Sequence, residues 1–414
     1  MIMKYCCLSA LLLALLSQAV VGQIDNGELD EIRRVTYRAM DAAKSARNWT
    51  EMIRACRYGV DHGLTDEGLL RSLSWAYCRA GQVEDGYEWA ILNWRKNPCA
   101  WSLVQYAEAS YDSGRIAEGK EAARLLEKHR SEWGSAKGAA DDVISKLTTF
   151  VYEFTWRIRN QSDRQQRRNV PIPQQDPYIQ TKVAHRVEGT EEFEEAATAD
   201  GVRYVKVTVP KNSEVRVIAE VTMSPHSWRQ AIKKFDPSAP LPEDAKKLLG
   251  KSIDGNFVAV DPTTESARSL VNRLKGKRDL ETIENVMRYI EQEIPWADVP
   301  GRLNSEECIR LRKGSCTPRS FAAVALLRAA GIPARAIRGH SGVMPEARQP
   351  MPHTVPQFYV RGVGWLDSDF GLSPWSPSSH FLRMYYRASN DYGMLGDAVD
   401  PTKDCTMRVL KRTL

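Results

Sequence analysis

The sequence predicts a multidomain α+β protein with a helical region first, a β-sandwich second and a mixed α+β core third. Three observations support this order. Apolar residues follow helical spacing from Leu29 onward, they alternate with polar residues from Phe150, and a proline-rich connection after Pro225 leads into sequence that mixes both patterns. The expected boundaries are 29–147 for the helices, 148–225 for the sandwich, 226–390 for the core and 391–414 for a C-terminal tail.

The composition is that of a chain that can bury more than one core. It has 414 residues, of which 43% are hydrophobic, so we expect two or three domains rather than one. The net charge of +6 arises from 58 basic and 52 acidic residues. Neither sign dominates, and the charge balance therefore gives no reason to expect a nucleic-acid partner.

Residues 1–22 have the features of a secretory signal peptide. Lys4 precedes an apolar run from Tyr5 to Leu16, and small residues then offer two cleavage options. The alternative, a transmembrane anchor, needs about 20 apolar residues and fits less well. No later segment of the sequence is long and apolar enough to span a bilayer. We therefore expect a mature protein that is secreted or periplasmic, with no membrane span after signal cleavage.

Six cysteines follow the predicted signal peptide, and they lack the close, regular spacing of a disulfide scaffold. If Cys316 stays reduced for chemistry, five remain and at most two disulfides can form, with the pairing left open. The five are Cys56, Cys78, Cys99, Cys308 and Cys405.

The helical region contains an internal repeat. Gly81 and Gly86 recur 33 residues later as Gly114 and Gly119, each pair in a small-residue turn between two helical patterns. A period of about 34 residues is typical of tetratricopeptide repeats, which the region resembles. A plain helical bundle is the alternative, because three imperfect repeats make a short array. Either arrangement favours a scaffold or a docking surface for a protein partner.

A β-sandwich is predicted after the helices. Side chains alternate between apolar and polar from Phe150 to Arg159, as in a half-buried strand. Residues 202–209 and 214–223 continue the pattern on either side of a polar turn. A small sandwich over 148–225 accounts for these features.

Cys316 is predicted to lie at the N-terminus of a helix. The segment Lys313-Gly-Ser-Cys316-Thr-Pro318 leads into a run rich in Ala and Leu that ends at Gly331, and proline suits a first helical turn. Unpaired N–H groups and the helix dipole stabilise a thiolate there and can also hold an oxyanion. Most cysteines are nevertheless inert buried thiols, so the assignment depends on the neighbouring residues.

A thiol nucleophile needs a base, and the base needs an acceptor that orients it. His353 opens an extended run to Val360, and Asp369 lies on the chain that returns after a turn. Antiparallel pairing is expected to bring this acid near the imidazole. Asp367 shares the strand face of Asp369 and is the alternative orienting acid.

The constellation resembles the transglutaminase-like superfamily over about residues 295–372. The matching pieces occur in the family's order, and they are Gly-Ser-Cys316, Leu327-Arg-Ala-Ala-Gly-Ile-Pro-Ala-Arg335, His353, Gly364-Trp365 and Asp369. The resemblance implies a papain-like, transglutaminase-like α+β core. It also implies acyl transfer on protein or peptide amides, with Cys316, His353 and Asp369 as the catalytic triad. Trp296 stands where relatives often carry an aromatic residue, as a candidate for the oxyanion site or the cleft wall.

No metal-ligand spacing, phosphate-binding loop or dinucleotide-binding motif stands out, so we expect no cofactor and no metal. The chain departs from the family pattern after His353, where Val355 and Gln357 flank Pro356 and replace a Trp and a Glu. A proline there favours an edge strand or a shifted strand.

Two hypotheses about function remain open. The first is an exported cysteine hydrolase or acyltransferase, acting as a peptidase, amidase or transglutaminase. The second is a non-catalytic binding or assembly protein, with helical repeats that dock a partner and an inactive core. Selective labelling of Cys316 by a thiol-reactive probe would favour the enzyme.

Overall fold

The structure is a computed structural model that describes residues 26–176, 178–197, 203–254, 257–299, 303–341, 351–370, 375, 381–387 and 405–414. The predicted signal peptide lies outside these residues, as does residue range 391–404 of the predicted tail. The chain divides into two compact units, Met1–Ser113 with His129–Lys137 and Gly114–Lys128 with Gly138–Leu414.

The first unit is helical over its described residues. Its helices are α1 (Asn26–Ser45), α2 (Trp49–Asp61), α3 (Glu67–Arg79), α4 (Val83–Lys96) and α5 (Ala100–Asp112). Each helix packs against the next one along the chain. Two N-terminal caps are explicit in the sequence, since the side chains of Asn48 and Asp66 accept hydrogen bonds from the N–H groups of Glu51 and Leu69.

The repeated glycines have specific backbone and packing roles. Gly81 and Gly114 have φ values of +84° and +82°, which a residue with a Cβ adopts only under strain. Gly86 lies where α3 and α4 approach closely, and a Cβ there would lie 2.5 Å from the sulfur of Cys78. The helices and the equivalent turns agree with the expected pattern. The assignment to tetratricopeptide repeats stays a prediction.

The remaining elements belong, except for Lys137, to the second unit. The helices are α6 (Ile116–Lys128), α7 (Lys137–Leu147), α8 (Trp228–Ala231), α9 (Glu243–Lys246), α10 (Glu265–Leu274), α11 (Asp279–Glu293), α12 (Ser305–Leu311) and α13 (Cys316–Ala329). The strands are β1 (Thr149–Asn160), β2 (Gln166–Pro171), β3 (Gln180–Glu188), β4 (Phe193–Ala197), β5 (Arg203–Val209), β6 (Ser213–Met223), β7 (Ser252–Asp254), β8 (Phe257–Val260), β9 (Ala334–Ser341), β10 (Met351–Val360), β11 (Gly364–Asp367), β12 (Leu382–Arg387) and β13 (Cys405–Thr413).

Two antiparallel sheets form the predicted β-domain. One has the strand order β13–β1–β6–β3 and the other has the order β2–β5–β4. The alternating apolar residues of β1, from Phe150 to Ile158, are at most 5% exposed. They share one core with buried valines of β5 and β6, as expected for side chains between two sheets.

The predicted tail contains a strand of this β-domain. β13 pairs with the outer edge of β1, from Thr149 opposite Thr413 to Trp156 opposite Cys405. A charged side chain crosses this pairing, since Arg408 donates to the carboxylate of Glu153 at 2.7 Å. The pairing covers an edge that would otherwise leave backbone N–H and C=O groups open to another chain.

The core is built around α13. Residues from Pro318 to Arg328 of this helix are all buried and mostly apolar, so the helix has no solvent-facing stripe. It packs on a sheet of order β11–β10–β9–β12. This helix and this sheet carry the predicted site residues.

β10 lies between two neighbours, so the expectation of an edge strand at Pro356 is wrong. Pro356 pairs with Ala336 of β9, and its carbonyl accepts the N–H of Ser368 at 3.2 Å. Because proline has no N–H, Pro356 cannot donate a hydrogen bond toward the chain that carries Ser368. The paired residues of β11 end at Asp367, so Pro356 lies just beyond this ladder. The proline is therefore tolerated in an interior strand because it stands where one ladder stops.

Candidate active site

Cys316 is the first residue of α13, as predicted. The preceding Ser315 has extended backbone with φ −75° and ψ −174°, which starts the helix at the cysteine. Pro318 lies in the first turn, where no intrahelical partner for its nitrogen is needed. The first N–H groups of the helix are thereby directed to the space around the thiol.

Side-chain hydrogen bonds connect the start of α13 to the strand that carries His353. The hydroxyl of Ser320 lies 2.8 Å from the carbonyl oxygen of Cys316 and 2.9 Å from that of Thr354. The hydroxyls of Thr317 and Thr354 are 3.0 Å apart. Thr354 and Ser320 are fully buried. The nucleophile helix and the histidine strand are thus held in a fixed register.

The loop before Cys316 pairs with the segment that contains Trp296. Ala297 donates its N–H to the carbonyl oxygen of Gly314 at 3.1 Å, and Gly314 donates to Pro295 at 3.4 Å. The side chain of Trp296 is 64% exposed. Trp296 is therefore no core residue, and its backbone lies beside the loop that delivers the thiol.

His353 contacts the carboxylate of Asp369. The ring atom Nε2 lies 3.0 Å from both carboxylate oxygens, and Asp369 Oδ1 also accepts the N–H of Phe370 at 2.8 Å. The ring of Phe381 meets the imidazole edge-on at 5.9 Å. Because Nε2 is engaged with the acid, Nδ1 is the nitrogen left for the thiol.

The pKa values of the thiol and the imidazole are shifted toward a charged pair. Burial raises the pKa of Cys316, but hydrogen bonds from His353, from the N–H of Thr354 and from Thr317, together with the imidazolium charge, lower it to about 7. Burial lowers the pKa of His353, and its contacts with Asp369 and Cys316 raise it to about 9. Between these values the thiolate and imidazolium forms are favoured together.

Asp367 faces a different partner. Its carboxylate is 2% exposed and accepts two hydrogen bonds from Arg383, from Nη2 at 2.8 Å and from Nε. On the strand it lies opposite Gln357 of β10. Of the two candidate acids, the structure places Asp369 against the imidazole.

Sequence reasoning did not find two arginines near the site. Arg319, one turn after Cys316, stacks on Phe370 at 4.5 Å and donates to the carbonyl oxygen of Ile290 at 3.3 Å. A charged residue inside an otherwise apolar buried helix was the available signal. Arg383 had no such signal, because its pairing with Asp367 arises only from the sheet.

The described parts of the chain hold no group of three metal-binding side chains of the His, Cys, Asp or Glu type. Within the same parts, no helix has the length and hydropathy needed to cross a membrane. In the described ranges, none of the six cysteines after the predicted signal peptide is joined in a disulfide.

Comparisons with known proteins agree with the predicted resemblance. A sequence model of the transglutaminase-like superfamily matches residues 268–370, a span that contains Cys316, His353 and Asp369. The resemblance is confirmed for this span, which forms a transglutaminase-like domain. Compared with the curated proteins, the chain has no significant match.

Three solved structures are similar to the chain at low identity. A proposed cysteine protease from Cytophaga hutchinsonii has 16% identity and a TM-score of 0.41, with coverage of 64% of this chain and 89% of that chain. The periplasmic domain of TgpA from Pseudomonas aeruginosa, bound to ethylmercury, has 14% identity and a TM-score of 0.30, with 53% and 88% covered. A proposed protease from Parabacteroides distasonis has 14% identity and a TM-score of 0.23, with 58% and 48% covered.

Proposed function

We propose that this chain, which contains a transglutaminase-like domain, is a cysteine-dependent acyl-transfer enzyme that acts on protein or peptide amides outside the cytoplasm. The observation that carries the proposal is the line of contacts from Cys316 through His353 to Asp369, at the start of a buried helix. Export is proposed from the signal-peptide pattern of the sequence alone.

In the proposed reaction the Cys316 thiolate attacks the carbonyl carbon of an amide. The carbonyl oxygen becomes an oxyanion, which N–H groups in the first turn of α13 can stabilise. The proton from His353 passes to the leaving amine as the C–N bond breaks, and a thioester to Cys316 remains. Water or a second amine then attacks the thioester and restores the thiol.

Asp369 is proposed to hold the imidazole in the orientation that this proton transfer needs. Its two oxygens accept the N–H of Nε2, so that proton stays on Nε2 and Nδ1 exchanges the reacting proton. The acid also stabilises the imidazolium that forms, because it supplies the opposite charge in a partly buried site.

The acyl acceptor decides whether the enzyme is a hydrolase or a transamidase. A glutamine-containing peptide library incubated with and without a labelled primary amine separates the two activities by mass spectrometry. Loss of amide without label indicates hydrolysis, and incorporation of label indicates transamidation. No turnover of any peptide, together with an unreactive Cys316, would favour the non-catalytic binding protein.

The rate of Cys316 alkylation by iodoacetate is expected to rise through about pH 7 and to fall above about pH 9. The rise follows the thiol, whose pKa is lowered to about 7. The fall follows the imidazole, whose pKa is raised to about 9, because loss of its positive charge removes the attraction for an anionic reagent. Peptide mapping at each pH gives the rate.

The same chain provides controls for this measurement. Neutral iodoacetamide should lack the fall at high pH, because it is not attracted by the imidazolium. Burial raises the pKa of Cys56, Cys308 and Cys405 to about 12, so these thiols should react slowly in the folded protein. A rise for Cys316 only near the ordinary thiol pKa of about 8.5 would contradict the charged pair.

Trp296→Ala is expected to raise KM about tenfold and to leave the alkylation profile of Cys316 unchanged. An exposed indole beside the nucleophile loop offers apolar surface to a bound peptide, and losing such a contact costs about 1.4 kcal/mol. Leu410→Ala, an exposed apolar residue of β13, serves as the control. A fall in kcat at unchanged KM would instead assign Trp296 to the oxyanion.

A further inference from the structure

A buried ion pair lies at the end of the strand that leads to Asp369. Arg383 is 4% exposed and Asp367 is 2% exposed, and the guanidinium binds both carboxylate oxygens. Two parallel bonds of this kind fix orientation as well as distance. Asp369 follows only two residues later, so the pair is the last side-chain anchor of β11 before the acid, and only the backbone bond from Ser368 to Pro356 lies between them.

The arginine is itself held on several sides. Its backbone N–H and C=O both bond to the side-chain amide of Gln180, and the N–H of Gln174 donates to the same carbonyl at 2.9 Å. The indole of Trp228 donates to the backbone carbonyl of Asp367. Side chains from the β-domain and from α8 therefore support both partners of the ion pair.

β12 and the residue before it lie near the histidine strand. Arg383 and His353 both lie opposite Gly339 of β9, which places them in one row across the sheet. Phe381, which directly precedes β12, meets the imidazole edge-on. Gly339 permits this close approach, since a Cβ there would lie 1.9 Å from the carbonyl oxygen of Leu382.

We propose that Arg383 is a positioning residue, which holds Asp369 against Nε2 of His353 by anchoring Asp367. The inference rests on the proposed function, because it concerns the orientation of the proposed base. The backbone at the end of β11 is still held by β10 and by the indole of Trp228 when the Arg383 side chain is lost, so we expect a small displacement there rather than release. A shift of Asp369 by about 1 Å already takes its oxygens out of hydrogen-bond range of Nε2. Because the ion pair is buried, solvent does not screen it. Removal of Arg383 therefore leaves the charge of Asp367 buried and unpaired by its arginine, which disturbs the end of β11.

Other charged side chains lie near the imidazole of His353 and the thiol of Cys316. Asp369, Asp367 and Arg319 interact electrostatically near the imidazole and the thiol, and Arg338 donates to the hydroxyl of Thr354 at 3.2 Å. Arg383→Met leaves all of these in place. Besides the bond to Asp367 it removes an ion pair with Asp176 at 4.0 Å and a bond to the carbonyl oxygen of Phe381 at 3.4 Å. Arg383→Lys keeps the charge but cannot bind both oxygens in a fork.

The test is the iodoacetate pH profile of Cys316 in variants whose fold is verified by circular dichroism and thermal melting. The lower limb of this profile is the rise in rate that follows the thiol, and the upper limb is the fall that follows the imidazole. Arg383→Met is expected to shift the upper limb to lower pH and the lower limb to higher pH, each by about one pH unit, because the imidazolium loses its acid. Turnover should fall about 10- to 100-fold. Arg383→Lys should show smaller shifts in the same direction.

Arg328→Met is the matched control. Arg328 is another buried arginine of this unit, at 5% exposure, and it donates to the carbonyl oxygens of Ala334 and Gly250 rather than to a site residue. Its loss should lower the melting temperature and leave both limbs in place. Wild-type limbs and wild-type turnover in folded Arg383→Met would overturn the inference.

The remaining outcomes are also decisive. If Arg383→Met does not fold, wild-type limbs in Arg383→Lys overturn the inference and shifted limbs support it. If the wild-type protein itself has an ordinary thiol at Cys316, the proposed function fails and not merely the role of Arg383.

Discussion

Replacement of Cys316 by alanine is expected to reduce turnover by about a million-fold, to the level of the uncatalysed reaction plus any residual binding effect. The sulfur forms the covalent intermediate, and no other described thiol lies at the start of α13. The fold should be retained, because the side chain is small and partly exposed. Peptide turnover, with circular dichroism for the fold, measures both effects.

Cys99→Ala is the control for this substitution. Cys99 is an exposed free thiol of the first unit and should contribute nothing to turnover. Equal activity of wild type and Cys316→Ala on a substrate that the wild type turns over would exclude the thiol as nucleophile. Absence of turnover in both proteins would instead support the binding and assembly hypothesis.

Asp369→Asn is expected to reduce turnover by about ten-thousand-fold while the fold is retained. An amide at this position can present its NH₂ group to Nε2, which favours the tautomer with the proton on the wrong nitrogen. The upper limb of the alkylation profile should also move to lower pH, because the carboxylate that raises the pKa of His353 is lost. Single-turnover kinetics and alkylation report these two effects separately.

Asp367→Asn provides the comparison, and its main effect should be on stability. It removes one charge from a buried ion pair, which costs about 3 kcal/mol when the other charge stays unpaired. The amide can still accept a hydrogen bond from Arg383, so turnover should fall less than tenfold. The opposite ranking of the two variants in turnover would move the orienting role to Asp367.

The site could be predicted because its signals are local. The glycine and proline around Cys316 mark a helix start, and the turn before Gly364 fixes which strand returns toward His353. The choice of Asp369 over Asp367 followed the family spacing. The structure adds the physical reason for this choice. The carboxylate of Asp367 is bonded to Arg383, whereas Asp369 lies beyond the last paired residue of β11.

What could not be predicted depends on contacts between distant parts of the chain. The run Arg338-Gly-His-Ser-Gly342 predicts a loop at the rim of the cleft, but His340 lies in β9 and is 1% exposed. Its strand is defined by pairing with β10 and β12, and local periodicity does not show which strands pair. The strand at Cys405–Thr413 escaped prediction for the same reason, because its pattern is short and its partner is β1.

The pairing of β13 with β1 also sets an order of events during folding. The bonded side chains of Glu153 and Arg408 are 255 positions apart. The outer edge of β1 therefore stays unpaired until almost the whole unit has been synthesised. At 5 to 20 residues per second this wait lasts about 10 to 50 s, during which the strand is open to wrong partners. A nascent chain arrested before Cys405 should therefore keep a folded first unit and an incomplete β-domain sheet.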